Sequence, residues 1–169
     1  MHPYAELAKK AVEEYIRNRR ILKAPAELPP DMKRRAGVFI CLKKRGDLRG
    51  CIGTFQPCRP SLYEEIVCNA RAASTEDPRF SLVQADELDE ISYTVDVLSE
   101  PERISDPAEL DPKKYGVIVA KGNRRGLLLP DLEGVDTVSE QLRITKMKAG
   151  IETDDKDVEL YRFTVDRFS

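Results

Sequence analysis

The sequence predicts an α+β domain with antiparallel sheets and flanking helices, and two observations lead to this class. Short segments in which apolar and polar residues alternate are joined in pairs by compact polar turns, which is typical of antiparallel hairpins. Separate segments carry apolar residues at helical spacing. A mixture of hairpins and helices indicates the α+β class. At 169 residues the chain has the length of one domain, which could be divided into two lobes.

The first predicted elements are a helix and a hairpin. Six apolar residues between Tyr4 and Ile16 recur at helical spacing, so residues 3–21 are expected to form an amphipathic helix. A loop with three prolines follows. Residues 36–43 and 48–53 are then predicted to be strands, because they flank a short turn that contains glycine.

Two further helices are predicted from their capping signals. Ser61 is followed three residues later by Glu64, and Thr137 is followed in the same way by Glu140. Each pair is a capping box, in which the two residues satisfy the first free N–H groups of a helix. Gly150 is expected at the end of the second of these helices, where a glycine readily adopts the left-handed conformation.

The remaining strands are predicted from alternation. Residues 91–97 give the clearest half-buried strand, since apolar and polar side chains alternate without interruption. Residues 115–121 and 126–129 flank a polar turn and predict a second hairpin. Residues 158–165 alternate again and predict a last strand.

Composition and charge exclude several classes of protein. The chain is 41% hydrophobic and 34% charged with a net charge of −2, as in an ordinary globular protein. No apolar run approaches the roughly 20 residues of a membrane helix, and no signal peptide is evident, so we expect a cytoplasmic protein. Residues 1–49 carry 13 Lys and Arg against 6 Asp and Glu. Nucleic-acid binding is nevertheless not the favoured interpretation, because no aromatic stacking pattern accompanies the basic residues.

Four cysteines lie within one short region, at Cys41, Cys51, Cys58 and Cys68. A cytosolic setting argues against structural disulfides. The spacings of ten, seven and ten residues differ from the close pairs of structural zinc sites, so they indicate a metal site only weakly. Cys41 lies in an apolar run and is expected to be a small buried hydrophobic residue.

The segment Arg49-Gly50-Cys51-Ile52-Gly53 is the strongest candidate for a functional site. Arg49 and Cys51 are two residues apart on a predicted strand, so their side chains are expected on one face. A nearby guanidinium favours the nucleophilic thiolate of a cysteine. The glycines leave room for a ligand to approach. Cys51 is therefore a candidate nucleophile and Arg49 a candidate orienter of the substrate, although the one histidine, His2, is too near the terminus to serve as a base.

Three residues further along the chain complete the candidate ligand-binding set. Asn69 lies on the helix after Ser61, where an amide more often satisfies buried backbone groups than it contacts a ligand. Asp77 and Arg79 flank a proline that makes their segment rigid enough to aim a side chain. Asp77 is also the expected partner of Arg49 if that guanidinium forms an internal ion pair. No metal or cofactor is expected, since there is no glycine-rich phosphate loop, HExxH motif or Gly-x-Ser-x-Gly motif.

A series of short motifs resembles the AMMECR family, named from the Alport-syndrome contiguous-deletion region. Their order and spacing fit over essentially the whole chain, which makes the resemblance specific. The motifs are Leu48-Arg49-Gly50-Cys51-Ile52-Gly53-Thr54, Asn69-Ala70-Arg71-Ala72-Ala73, Asp77-Pro78-Arg79-Phe80, Val95-Asp96-Val97-Leu98, Tyr115-Gly116-Val117-Ile118-Val119, Arg125-Gly126-Leu127-Leu128-Leu129-Pro130 and Lys148-Ala149-Gly150.

The resemblance implies that residues 1–169 form a single AMMECR-type domain with two subdomains. The larger would contain the N- and C-terminal segments and the smaller the middle of the chain. The segment from Arg49 to Gly53 would face a cleft between them, roomy enough for a macromolecular ligand. In prokaryotes the family is associated with a radical-SAM-type protein and a dioxygenase-like protein, and no activity is settled for it.

Three functions are consistent with these features. The preferred one is a module that binds a protein or other large ligand in a cleft lined by Arg49 and Cys51, serving the two associated enzymes. An enzyme that uses Cys51 as nucleophile and Arg49 to orient the substrate is the first alternative. Binding of RNA or DNA through the basic first third ranks last.

Overall fold

The computed structural model describes residues 1–169 and contains two antiparallel four-stranded sheets with helices. The chain divides into two compact units. Unit 1 comprises Met1–Leu98 and Asp166–Ser169, and unit 2 comprises Ser99–Val165. The predicted α+β class is confirmed.

The structure contains four α-helices, eight strands and two short 3-10 helices. None of the helices has the length and apolarity that crossing a membrane requires. The helices are α1 (Pro3–Asn18), α2 (Pro30–Lys33), α3 (Leu62–Thr75) and α4 (Val138–Ala149), and the 3-10 helices span Ala85–Glu90 and Pro107–Glu109. The strands are β1 (Val38–Lys44), β2 (Asp47–Thr54), β3 (Ile91–Leu98), β4 (Glu102–Ile104), β5 (Gly116–Lys121), β6 (Arg124–Leu128), β7 (Glu159–Phe163) and β8 (Val165–Phe168).

The predicted caps account for the ends of α3 and α4. Ser61 Oγ accepts a hydrogen bond from the backbone N–H of Glu64 at 3.3 Å, and Thr137 Oγ1 accepts one from the N–H of Glu140 at 3.1 Å. Gly150 ends α4 with φ at 70°, a left-handed conformation that glycine adopts at low cost. These local signals are confirmed because they depend only on residues three or four positions apart.

Unit 1 contains a sheet with the strand order β2-β1-β3-β8, so β2 and β8 are its outer strands. Strands β1 and β2 are joined by a turn at Arg45 and Gly46, both of which have positive φ, as a tight two-residue hairpin requires. Alternate residues of β1 are fully buried in one apolar core with residues of α1, α3 and β3. The other face of this sheet carries Cys41 and Cys51, which are half-buried.

Unit 2 contains the second sheet, with the strand order β4-β7-β5-β6. Helix α4 packs against β5 and β6. Gly126 on β6 makes this contact close, because a Cβ at that position would lie 2.4 Å from the carbonyl oxygen of Thr145. A separate apolar core contains Val117, Val119 and Leu160.

The predicted strand over residues 158–165 is wrong in one respect. The segment forms two strands, β7 and β8, which belong to different sheets. Thr164 lies between them, donating its N–H to Ser99 Oγ at 2.8 Å and accepting the N–H of Ser99 at 2.9 Å. Alternation continues through such a change of sheet, so the pattern alone does not reveal it.

Candidate functional site

Arg49 lies at an irregular position of the β1–β2 hairpin. Leu42 pairs with Gly50 but Lys43 pairs with Leu48, so Arg49 is an extra residue that forms a β-bulge. The expected two-residue repeat between Arg49 and Cys51 assumed a regular strand. The bulge changes the direction of the Arg49 side chain. Its hydrogen bonds are to residues 81–87 and not to the Cys51 sulfur.

The guanidinium of Arg49 binds Glu87 and two backbone carbonyls. Its Nε donates to Glu87 Oε1 and its Nη2 to Oε2, both at 3.0 Å. Its Nη1 donates to the carbonyl of Ser81 at 2.8 Å, and Nη2 also donates to that of Leu82 at 3.2 Å. Only 12% of the Arg49 side chain and 13% of the Glu87 side chain are exposed. Arg49 therefore fastens β2 to the 81–87 segment and has little guanidinium surface left for a ligand.

The partner of Arg49 was expected to be Asp77, and this prediction is wrong. Glu87 takes that place, and sequence reasoning did not single it out. The hydrogen bonds from Arg49 lower the pKa of Glu87 to about 2, against the opposing effect of burial, with further lowering by the Gln84 N–H and Lys44. A signal was present in the sequence, since Gln84 and Glu87 have the spacing of a capping box and form one at the start of the 3-10 helix.

Cys51 forms a disulfide with Cys41 across β1 and β2. The two residues are direct cross-strand partners whose Cα atoms are 4.1 Å apart, as in the closely spaced, non-hydrogen-bonded pairs of antiparallel strands. The expectation that a disulfide would be absent is wrong, and Cys41 is half-buried rather than a core residue. Because the Cys51 sulfur is bonded, its role as a nucleophile stays a prediction for the reduced protein.

Cys58 and Cys68 are free cysteines. No three His, Cys, Asp or Glu side chains come together in an arrangement that could hold a metal ion.

The backbone of Cys51 is held by Asp77 and Arg79. The N–H of Cys51 donates to Asp77 Oδ2 at 2.9 Å, and its carbonyl accepts from Arg79 Nη2 at 3.4 Å. Arg79 also donates through Nε and Nη2 to the two Asp77 oxygens at 3.0 and 2.8 Å. These hydrogen bonds, led by those from the Arg79 side chain, hold the pKa of Asp77 well below its usual range, against the effect of burial. The pair therefore covers the outer edge of β2 at one residue.

The two candidate residues of this pair differ in exposure. The Asp77 side chain is 3% exposed, whereas that of Arg79 is 55% exposed. The Nη1 group of Arg79 makes no hydrogen bond within the chain, so its two donors face outward. The guanidinium carbon also lies 5.4 Å from the centroid of the Phe80 ring. Asp77 is thus a positioning residue, and Arg79 presents positive charge at the surface.

The outer edge of β2 is open at Gly53. The Cys51 N–H binds Asp77, which shows that it points away from β1. Along an antiparallel strand the backbone groups of every second residue point in the same direction. The N–H and C=O of Gly53, two residues later, therefore also point outward, and they have no hydrogen-bond partner in the chain. Gly53 is half-buried, so this edge retains some solvent contact.

The glycines of the motif are needed for contacts within the chain. A Cβ at Gly50 would lie 2.1 Å from the carbonyl oxygen of Ala73 on α3, and one at Gly53 would lie 2.3 Å from the Phe39 ring. The sequence predicted that the glycines leave room for an external ligand. Instead, the space beside each Cα is filled by α3 or by Phe39.

Asn69 and a neighbouring glutamate support the end of β2. The Asn69 amide is buried and donates to the carbonyl of Val38 at 3.0 Å and to Thr54 Oγ1 at 3.1 Å, as expected for a structural amide. Glu65, which sequence reasoning missed, is 1% exposed and accepts hydrogen bonds from Thr54 Oγ1 and from the N–H groups of Cys58 and Arg59. Both residues fix the course of the chain between β2 and α3.

The protein-family comparison decides the relationship of this chain to known proteins. The family model described as AMMECR1 matches residues 5–168. The chain belongs to the AMMECR1 family. The resemblance found in the motifs is thereby confirmed over nearly the whole chain.

Relatives of this AMMECR1-family chain agree with the assignment. A protein of Thermotoga maritima is 58% identical over 169 residues, covering 99% of this chain and 97% of that protein. A protein of Clostridium acetobutylicum is 48% identical over 172 residues, a match that covers 98% of this chain but 35% of that longer protein. The crystal structure of an uncharacterized protein from Pyrococcus horikoshii has a TM-score of 0.89 at 34% identity, covering 97% of this chain and 88% of the other. These comparisons establish the family and the fold, and no activity.

Proposed function

We propose that this AMMECR1-family chain is a binding module that captures an extended, acidic segment of a partner protein along the outer edge of β2. The open edge at Gly53 is the observation that supports the proposal. An extended peptide binds such an edge as an added strand, with backbone hydrogen bonds for affinity and side-chain contacts for specificity.

The state of Arg49 and Cys51 favours binding over catalysis. Four of the five Arg49 donors are used within the chain, and the Cys51 sulfur is bonded to Cys41. Neither side chain then offers a reactive group, whereas the backbone edge beside them remains available. The enzyme that uses Cys51 stays a prediction for the reduced protein, and nucleic-acid binding through residues 1–49 stays a prediction that a salt titration would test.

The exposed guanidinium of Arg79 determines the charge of the proposed segment. It lies next to the edge, it is 55% exposed, and Asp77 holds its Nε and Nη2 in place. A guanidinium with free donors binds carboxylates in a directional way. We therefore expect an Asp or Glu on the bound segment, placed one or two residues from the position that pairs with Gly53.

The partner classes implied by the family resemblance are retained in this proposal. A radical-SAM-type protein and a dioxygenase-like protein are the candidates to supply the segment, in the cytoplasm. The sequence predicted a site for a large ligand along the Arg49 and Cys51 side chains. The proposed site is smaller and consists of the backbone edge of β2 together with Arg79.

Selection from a displayed library of random seven-residue peptides tests the proposal. Peptides enriched on the oxidised full chain should carry acidic residues and should slow hydrogen exchange of the Gly53 amide. The Arg79→Gln substitution should lower the affinity of these peptides for the chain by about tenfold or more, which is the effect of losing one charge-assisted contact. Arg103→Gln, an equal charge change at an exposed site of unit 2, is the matched control and should leave affinity unchanged. Failure of the wild-type chain to enrich peptides over Arg79→Gln, or unchanged exchange at Gly53, would contradict the proposal.

A further inference from the structure

A second feature of unit 1 lies outside the β2 edge. A cavity of about 520 Å³ opens between α3, the loop that precedes it and the segment that follows α1. Apolar side chains form part of its wall, among them Leu22 and Val67. Lys23, Arg59 and Arg71 contribute three positive charges against one carboxylate, Glu64. A cavity of this size suits a small organic molecule, and its charge suits an anion.

The free thiol of Cys68 lines this cavity beside two guanidinium groups. Arg59 Nη2 donates to the Cys68 sulfur at 3.2 Å, and this is the sole hydrogen bond of the Arg59 side chain. Arg71 lies three residues after Cys68 on the same face of α3, where its Nη1 binds Glu76 and its guanidinium lies 5.4 Å from the Tyr15 ring centroid. Cys68 is half-buried and is one of the residues that line the cavity.

Two of the three cations at the cavity are free to bind an anion. The ammonium of Lys23 and the guanidinium of Arg59 form no ion pair within the chain. Glu64 is engaged by the Ser61 hydroxyl, which donates to it at 3.1 Å. An incoming anion therefore meets two unpaired cations, an apolar wall and a thiol.

We propose that this pocket binds small organic anions with an apolar body and directs them to Cys68, which forms a mixed disulfide with an anion that contains a disulfide. The Cys68 thiol loses its proton to solvent, and its sulfur attacks one sulfur of the ligand disulfide. The Cys68 S–S bond forms as the ligand S–S bond breaks, and the released thiolate carries away the electron pair. The cationic side chains hold the carboxylates of the ligand during this exchange.

Two disulfide reagents of similar shape and different charge test the proposal. The dianion 5,5′-dithiobis(2-nitrobenzoate) carries aromatic rings and carboxylates, whereas 4,4′-dithiodipyridine is neutral at pH 7. In the oxidised full chain the free thiols are Cys58 and Cys68, and exposed Cys58 serves as the internal reference. The ratio of modification at Cys68 to that at Cys58, measured by peptide mass spectrometry, should be about tenfold higher with the dianion, since a cationic cleft raises the local concentration of anions.

Variants and a competitor identify the groups responsible. Arg59→Gln and Arg71→Gln should each lower the Cys68 preference for the dianion several-fold, and Arg103→Gln should leave it unchanged. Benzoate should slow modification of Cys68 and spare Cys58, whereas its neutral counterpart benzamide should affect neither. Thermal unfolding of each variant confirms that the fold is retained, and Arg59 is exposed enough for its replacement to be tolerated.

Two outcomes would overturn the proposal. One is an equal ratio of Cys68 to Cys58 modification with the anionic and the neutral reagent. The other is a preference for the dianion that survives in both Arg59→Gln and Arg71→Gln. Peptide binding at the β2 edge is measured separately and involves none of these residues, so failure here leaves the proposed binding function untouched.

Discussion

The Arg49–Glu87 ion pair should be a large contributor to the stability of unit 1. Its two parallel hydrogen bonds are 3.0 Å long, and both side chains are nearly covered. Replacing Glu87 with Gln keeps an acceptor but removes the charge, which leaves the covered Arg49 guanidinium without its counter-ion. Breaking such a pair costs about 3 kcal/mol when it is fully buried, and about 2 kcal/mol is expected here because some solvent contact remains.

The pKa of Glu87 gives a second value for the same interaction. A pKa lowered from 4.5 to about 2 corresponds to between about 3 and 4 kcal/mol, at roughly 1.4 kcal/mol for each pKa unit. The Gln84 N–H and Lys44 account for part of this value, and screening by solvent reduces it further, so about 2 kcal/mol is expected for the Arg49–Glu87 pair. Lys9 and Glu13 provide the control pair in the same unit, at 3.9 Å and with 42% and 31% of their side chains exposed. Their coupling should stay below about 0.5 kcal/mol.

A double-mutant cycle measures both couplings. Urea unfolding of the oxidised wild type, Arg49→Gln, Glu87→Gln and the double variant gives four free energies of unfolding, from which the coupling follows. The same cycle with Lys9→Gln and Glu13→Gln gives the control. Equal couplings for the two pairs would refute the reasoning, and Arg49 would again be a candidate for binding a ligand.

Three further predictions concern the motif, the cysteines and acid. Gly50→Ala should lower the free energy of unfolding in urea by about 2 kcal/mol, since the Cβ would meet the Ala73 carbonyl, and a loss below about 0.5 kcal/mol would contradict this. Without reductant the denatured chain should titrate as two thiols and after reduction as four; four thiols from the start would exclude the disulfide. The pKa of Glu87 is lowered on folding, so its protonation favours the unfolded chain. Its contribution should be complete above pH 4.5 and should be lost as the pH falls through about 2, whereas Glu87→Gln should show a shallower dependence in urea titrations at each pH.

The elements that could be predicted from sequence depend on local spacing. The N-caps Ser61 and Thr137 fix where α3 and α4 begin, because each accepts the backbone N–H of the residue three positions later. The glycine turn at Gly46 and the alternation of β3 are local in the same sense. The sequence also singled out the segment from Arg49 to Gly53 and the segment from Asp77 to Arg79 as candidates for one site. In the structure the two segments are joined by hydrogen bonds to the Cys51 backbone.

The features that escaped prediction depend on contacts between distant segments. The disulfide follows from the register that sets Cys41 opposite Cys51, and a spacing of ten residues does not reveal that register. The choice of Glu87 over Asp77 as partner of Arg49 follows from the bulge at Arg49, which the regular two-residue repeat assumed for this strand did not include. Several acidic residues precede β3, and only the fold selects one of them.

Two hydrogen bonds join Ser99, which follows β3, to Thr164, which precedes β8. The chain leaves β3 and enters β8 at adjacent points, and β3 and β8 are neighbours in one sheet. Unit 2 is therefore an insertion in the chain between two neighbouring strands that a tight turn could join directly. We therefore expect unit 2 to tolerate changes in length while β3 and β8 keep their pairing.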